Sequence, residues 1–120
     1  MREFEILGSE LVLVVEDSLS RVEWMKKRFP HAKVFVNSER AMEWLRTNQP
    51  SWIFLDYDGE KPGQTFEPVA RSFAEKSFSG HVIVDSVNPF SVELIRKILQ
   101  DAGVAVEVCP FGMFSVRTRE

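Results

Sequence analysis

Two periodicities alternate along this chain, and that alternation limits the fold more than any other feature. Short apolar runs rich in β-branched residues occur at Leu11–Val15, Val34–Val36, Trp52–Leu55, Val82–Val84 and Val104–Val108. Most do not alternate with polar residues, which predicts strands covered on both faces. Between them lie segments of helical period. Leu19, Val22, Met25 and Phe29 form one stripe, capped by Asp17 or Ser18 and stopped by Pro30. Ala41, Met42 and Leu45 form a second, opened by Ser38 and closed before Pro50. Phe66, Val69, Ala70 and Phe73 form a third behind Thr65, and Phe90, Leu94, Ile95, Ile98 and Ala102 a fourth between Asn88-Pro89 and Gly103. Caps, an N1 proline and a terminal glycine suit these places. The helices are expected near residues 18–29, 39–48, 66–77 and 89–102.

The resulting βαβαβαβαβ pattern specifies an α/β fold. Right-handed crossovers give a three-layer sandwich, with a five-stranded parallel sheet between helices. The order 2-1-3-4-5 is the common solution for five strands. A chain of 120 residues with 44% hydrophobic content fits a single domain over 1–120 with a sizeable core. The lone Cys109 cannot form an internal disulfide, which fits a reducing compartment. No apolar run is long enough to span a membrane, and MREFEILGSE has no signal-peptide core. The expected location is the cytoplasm. A net charge of −3 gives no reason to expect nucleic acid as a partner.

In such sheets the functional crevice lies beyond the carboxyl ends of the strands, near the switch between the first and third. There the first apolar run ends in Glu16-Asp17-Ser18, the third in Asp56-Tyr57-Asp58-Gly59 and the fourth in Asp85-Ser86-Val87-Asn88. Adjacent strands lie ~4.8 Å apart. Five carboxylates therefore crowd one rim, with no Lys or Arg in the three strand-end segments. Crowded carboxylates must be protonated or neutralised by a cation. A hard divalent ion on oxygen ligands is the simplest answer, and Mg²⁺ fits best. The candidate ligands are Glu16, Asp17, Asp56, Asp58 and Asp85. Asp17, Ser18 and Asn88 could instead be helix caps, and Asp58-Gly59 a turn. Capping accounts for single residues, but not for three neighbouring strand ends all being acidic.

These motifs resemble the receiver domains of response regulators. "LVLVVEDS" is similar to their first strand and acidic pair, and "VCPFG" to the Lys-Pro-Phe after their fifth strand. The resemblance spans about residues 10–112, leaving 113–120 as a tail. It implies that Asp56 is the phosphoacceptor aspartate and that Ser86 is the Ser/Thr ending the fourth strand. It also implies a cis peptide bond before Pro110. The phosphoryl-contacting lysine is replaced by Cys109. The loop "YDGEKPGQT" and the run Asp85-Ser86-Val87-Asn88-Pro89 look closer to an atypical branch, the cyclic-phosphate-processing receivers. Their Ser-x-Asn-Pro motif maps onto Ser86, Asn88 and Pro89. Their two histidines are replaced by Tyr57 and Asp85.

Receivers end in a fifth helix, which is expected here to be short or absent. Gly112–Glu120 reads as extended, with Phe114 and Val116 alternating with Ser115 and Arg117. Either a homodimer or other protein partner buries the face so exposed, using Phe111, Met113 and Phe114, or the tail folds back over it. The favoured function is a degenerate receiver-type module with an acidic divalent-metal pocket, acting in phosphorylation-linked signalling or phosphate-ligand binding. The alternatives are a metal-dependent phosphoesterase-like enzyme for cyclic phosphates and a pseudo-receiver interaction domain. His31 and His81 stand in no ligand spacing.

Overall fold

All five apolar runs join one parallel sheet in the computed structural model, which describes residues 1–56, 67–76, 78–86 and 88–120. In chain order the elements are β1 (Arg2–Leu7), β2 (Val12–Val15), α1 (Leu19–Arg28), β3 (Lys33–Phe35), α2 (Ser38–Leu45) and β4 (Trp52–Leu55). They continue with α3 (Glu67–Glu75), β5 (His81–Val84), α4 (Pro89–Asp101), β6 (Ala105–Val108) and β7 (Phe114–Arg119). The sheet order is β3-β2-β4-β5-β6, which is the expected 2-1-3-4-5 counted over the five core strands. No helix of the described residues is long and apolar enough to cross a membrane.

Strand parity divides the core into two layers. Leu13 and Val15, Ile53 and Leu55, and Val82 and Val84 point to one face. There Ala41 and Leu45 of α2, Val69, Ala70 and Phe73 of α3, and Val92, Ile95 and Leu99 of α4 cover them. Val12 and Val14, Phe54, and Ile83 point to the other face, under Met25 of α1 and Phe29 at its C-terminal cap.

That second face also receives the extended tail, folded back over it, together with a first strand that the sequence pattern did not assign. β1 and β7 pair in parallel as a separate two-stranded ribbon, with Phe4 opposite Val116 and Arg2 opposite Phe114. Phe4, Ile6 and Phe114 are buried against Val14, Phe54 and Ile83. Phe4 meets Trp52, Phe54 and Phe114 edge-on, with ring centroids 6.1, 6.0 and 5.6 Å apart. Each aromatic side chain buried this way contributes roughly 1.5–3 kcal/mol. β7 runs alongside α1, since Phe114 packs on Trp24 while the Thr118 hydroxyl donates to the Arg28 carbonyl at the other end. The ribbon thus fills the place of a fifth helix, and the buried core extends beyond residues 10–112 at both ends. The face expected to be left for a partner is covered from within the chain. Phe114 is buried, and Met113 remains exposed.

Several local expectations need correcting. The α4 stripe is rotated: Val92, Ile95 and Leu99 are buried, while Phe90 is 85% exposed. The small Ser91 is buried in that first turn and lets the helix seat on Val92. Leu19 likewise faces solvent. The cap of α2 is Asn37 rather than Ser38, its side chain accepting from the Arg40 N–H at 2.9 Å. Asn88 caps α4 as expected, with Pro89 at its start, and Gly103 follows the helix at φ 76°. The peptide before Pro110 is trans, not cis. The turn is closed instead by Met113 N–H donating to the Pro110 carbonyl at 2.9 Å, and Gly112 supplies the φ of 91° that the reversal needs. The expected α3 cap Thr65, and Phe66, lie outside the described residues.

Candidate functional site

The sheet register builds the site. Val15 lies opposite Leu55, Leu55 opposite Val84, and Val84 opposite Val108. One residue further along, Glu16, Asp56, Asp85 and Cys109 therefore stand in a row across four strands. Backbone hydrogen bonds continue past the strands to fix that row. Asp56 N–H donates to Val15 at 3.1 Å, Asp85 N–H to Leu55 at 3.1 Å and Cys109 N–H to Val84 at 2.9 Å. Parity puts these side chains on the face of Val14, Phe54 and Ile83, the side of α1 and the ribbon. Asp56 has an acid on each side.

The row is largely closed to solvent. Glu16 and Asp85 are 1% exposed and Asp56 is 6% exposed. Asp17, at the entry to α1, is half-buried. Carboxylate oxygens of Glu16, Asp17 and Asp56 all lie within 4.8 Å of one another. Glu16 Oε1 accepts from the Ser18 N–H at 2.9 Å. Asp85 Oδ1 is buried and accepts no hydrogen bond among the described residues. Burial, then the charge of Asp56, pushes Glu16 up to about 8 despite the Ser18 N–H. Burial and Asp56 likewise hold Asp85 at about 8, opposed by Arg21.

This donor set fits a hard divalent cation: three converging carboxylates, all oxygen, crowded in a largely buried pocket. Asp85 adjoins the trio without being one of the three converging groups. Asp58 lies outside the described residues, as does Tyr57. Ser86 is buried, and its Oγ accepts from the Asn88 N–H at 3.4 Å. The Asn88 carboxamide faces α4, accepting from the N–H groups of Phe90 at 3.0 Å and Ser91 at 3.4 Å. Cys109 closes the row as a buried thiol donating to the Met113 carbonyl at 3.7 Å. Burial, then Glu107, raises it, so it stays a neutral thiol. A broad groove at the opposite rim, lined by Arg46, Asn48, Lys76 and His81, gathers no such carboxylate set among the described residues.

Arg21 was not singled out from the sequence, and Phe111 was placed there only in the partner face and not in the site. Arg21, in the first turns of α1, reaches back to Glu16, Nη1 to Oε2, at 3.8 Å. Its guanidinium also lies 4.9 Å from the centroid of the Phe111 ring. Phe111 is fixed by its N–H donating to the Asp85 carbonyl at 3.1 Å and by Trp24, ring to ring at 5.2 Å. The available signal was position. Residue 21 is one helical turn beyond Asp17, so its side chain can return to the rim from which α1 starts.

The sheet order and its flanking helices match those of solved response-regulator structures. The chain has the receiver-domain fold. The phosphorylated cyanobacterial phytochrome response regulator RcpA matches with a TM-score of 0.60 at 18% identity, over 87% of this chain and 83% of its own. The Mn²⁺-bound response regulator Rcp1 matches with a TM-score of 0.59 at 16% identity, over 92% and 83%. The N-terminal domain of an uncharacterized protein from Wolinella succinogenes matches with a TM-score of 0.64 at 18% identity, over 87% and 82%. No protein-family model and no curated protein matches the sequence. At these identities the likeness is one of fold. Within the receiver fold the site occupies the carboxyl edge of β2, β4 and β5, and the ribbon of β1 and β7 takes the place of the last helix.

Proposed function

We propose that the chain is a degenerate receiver-type module that binds a divalent cation, Mg²⁺, at Glu16, Asp17 and Asp56, and that Asp56 accepts or contacts a phosphoryl group. The observation that carries this reading is the convergence of three carboxylates within 4.8 Å in a largely buried pocket of a receiver fold. The Mn²⁺-bound Rcp1 and the phosphorylated RcpA support both halves of it by likeness. A bound Mg²⁺ supplies positive charge for the carboxylates and for phosphoryl oxygens. Asp56 offers an oxygen to phosphorus, and the bond from phosphorus to the donor's leaving group breaks as the new one forms. Glu16 and Asp85, flanking Asp56, deprotonate when the cation enters. Signalling linked to phosphorylation is the expected use, and the cytoplasm the expected place.

The test is binding of beryllofluoride, an aspartyl-phosphate analogue, in millimolar Mg²⁺. Saturable binding that Asp56→Asn abolishes supports the reading. Absence of binding in the wild type would leave the pseudo-receiver alternative. The finer assignment to cyclic-phosphate-processing receivers is carried by Ser86, Asn88 and Pro89. Asn88 caps α4 and Ser86 accepts from its N–H, so fold requirements account for this run. Turnover of a 2′,3′-cyclic nucleotide that Ser86→Ala removes would move the reading to that branch. A protein partner, if one binds beside β6, meets the outer side of the ribbon and Met113.

A further inference from the structure

We propose that Arg21 is the phosphoryl-contacting cation of this pocket, entering from α1 to do what no residue at the end of β6 can do. The inference rests on the phosphoryl reading above. An anion beside Asp56 needs a positive charge besides the metal, because Asp56 is flanked by Glu16 and Asp85. Cys109, at the end of the row, is a neutral buried thiol. Lys and Arg are absent from the described strand ends of β2, β4 and β5.

Arg21 has the required position. Its guanidinium is half-buried between Glu16 and the ring of Phe111, whose backbone is tied to Asp85. It thus sits between the α1 side of the row and the β6 corner. The separation from Glu16, 3.8 Å, is beyond hydrogen-bond length, so the ion pair leaves N–H donors to turn toward a second acceptor. Its charge already reaches Asp85, where it works against burial. The ring of Phe111 holds the guanidinium by its face, which restricts the side chain while keeping its N–H edge available. A planar fork of donors suits a phosphoryl group, whose oxygens can each accept. Asp85 Oδ1, in the same row, accepts no hydrogen bond among the described residues, so a donor entering there finds an open acceptor.

Removing Arg21 has opposite effects on the two ligands. The carboxylates lose a competing cation, while the anion loses its contact. The experiment measures Mg²⁺ alone, and then beryllofluoride at saturating Mg²⁺, on wild type, Arg21→Gln and Arg21→Lys, with thermal melts confirming that each is folded. Arg21→Gln should bind Mg²⁺ as tightly as wild type or tighter, and should lose roughly tenfold in beryllofluoride affinity. Arg21→Lys should recover part of that loss. If wild type binds beryllofluoride and Arg21→Gln binds it equally well, Arg21 is a surface residue and the inference is overturned while the phosphoryl reading stands. If Arg21→Gln weakens Mg²⁺ and beryllofluoride in parallel, the residue merely supports the pocket and the inference again fails. If the wild type binds Mg²⁺ but no beryllofluoride, the phosphoryl reading fails and takes this inference with it.

Discussion

The two faces of the sheet are sealed in different ways. One is covered by α2, α3 and α4, whose apolar residues come from helices packed directly on Leu13, Leu55 and Val84. The other is covered by a single helix and by a ribbon made from the two ends of the chain, through an aromatic cluster of Phe4, Phe54, Phe29 and Phe114. The acidic row projects on this second side. The site and the ribbon are thus joined by packed side chains. Phe111 leads from the row into β7, and it supports Arg21 above the carboxylates.

Breaking the ribbon side should have the largest effect. Phe4→Ala removes a ring packed on three others, and should cost about 3–5 kcal/mol in urea unfolding, as much as a core residue on the helical side. A loss below ~1 kcal/mol would mean that the ribbon is an appendage and that the two faces are not comparable. Proton linkage should give the next largest effect. Glu16 and Asp85 sit at about 8 when folded, above the usual carboxylate range near 4. Acids raised on folding bind more protons folded than unfolded between those values, so stability is greatest below the window and is lost as pH rises through it. Metal-free melts should therefore fall by several degrees from about pH 5 to about pH 8, and millimolar Mg²⁺ should restore most of the loss at the upper end. A flat profile without metal would contradict the burial of these two acids. The smallest effect is expected on the outer side of α4. Phe90→Ser should change stability by no more than about 0.5 kcal/mol, because the ring is 85% exposed. A larger loss would show that the helix is seated as the sequence stripe implied.

The helical face was legible because covered strands and amphipathic helices each leave a period in the sequence. Its errors are those of helix phase, where Phe90 outweighed the small Ser91. The ribbon was less legible. Phe4 and Ile6 alternate with Glu3, Glu5 and Leu7 at a solvent-facing strand, yet a single strand cannot be recognised without its partner, and Phe114 lies 110 residues away. The tail was read as extended, but its pairing with the first residues was not. At the site, Glu16, Asp56 and Asp85 could be placed because parallel register turns strand ends into neighbours. Arg21 could not, because its role depends on how a side chain leaves α1 and on a ring beyond β6. Asp58 lies outside the described residues.

Melting wild type and Asp56→Asn with and without millimolar Mg²⁺ near pH 8 distinguishes a cation pocket from a set of caps. Removing the central charge of the row relieves Glu16 and Asp85, so Asp56→Asn should be the more stable protein without metal, by about 1 kcal/mol or roughly 4 °C. Mg²⁺ should raise the wild-type melting temperature by mass action and leave Asp56→Asn nearly unmoved. A wild type indifferent to Mg²⁺, together with a destabilised Asp56→Asn, would mean that the carboxylates are structural caps and no cation pocket exists.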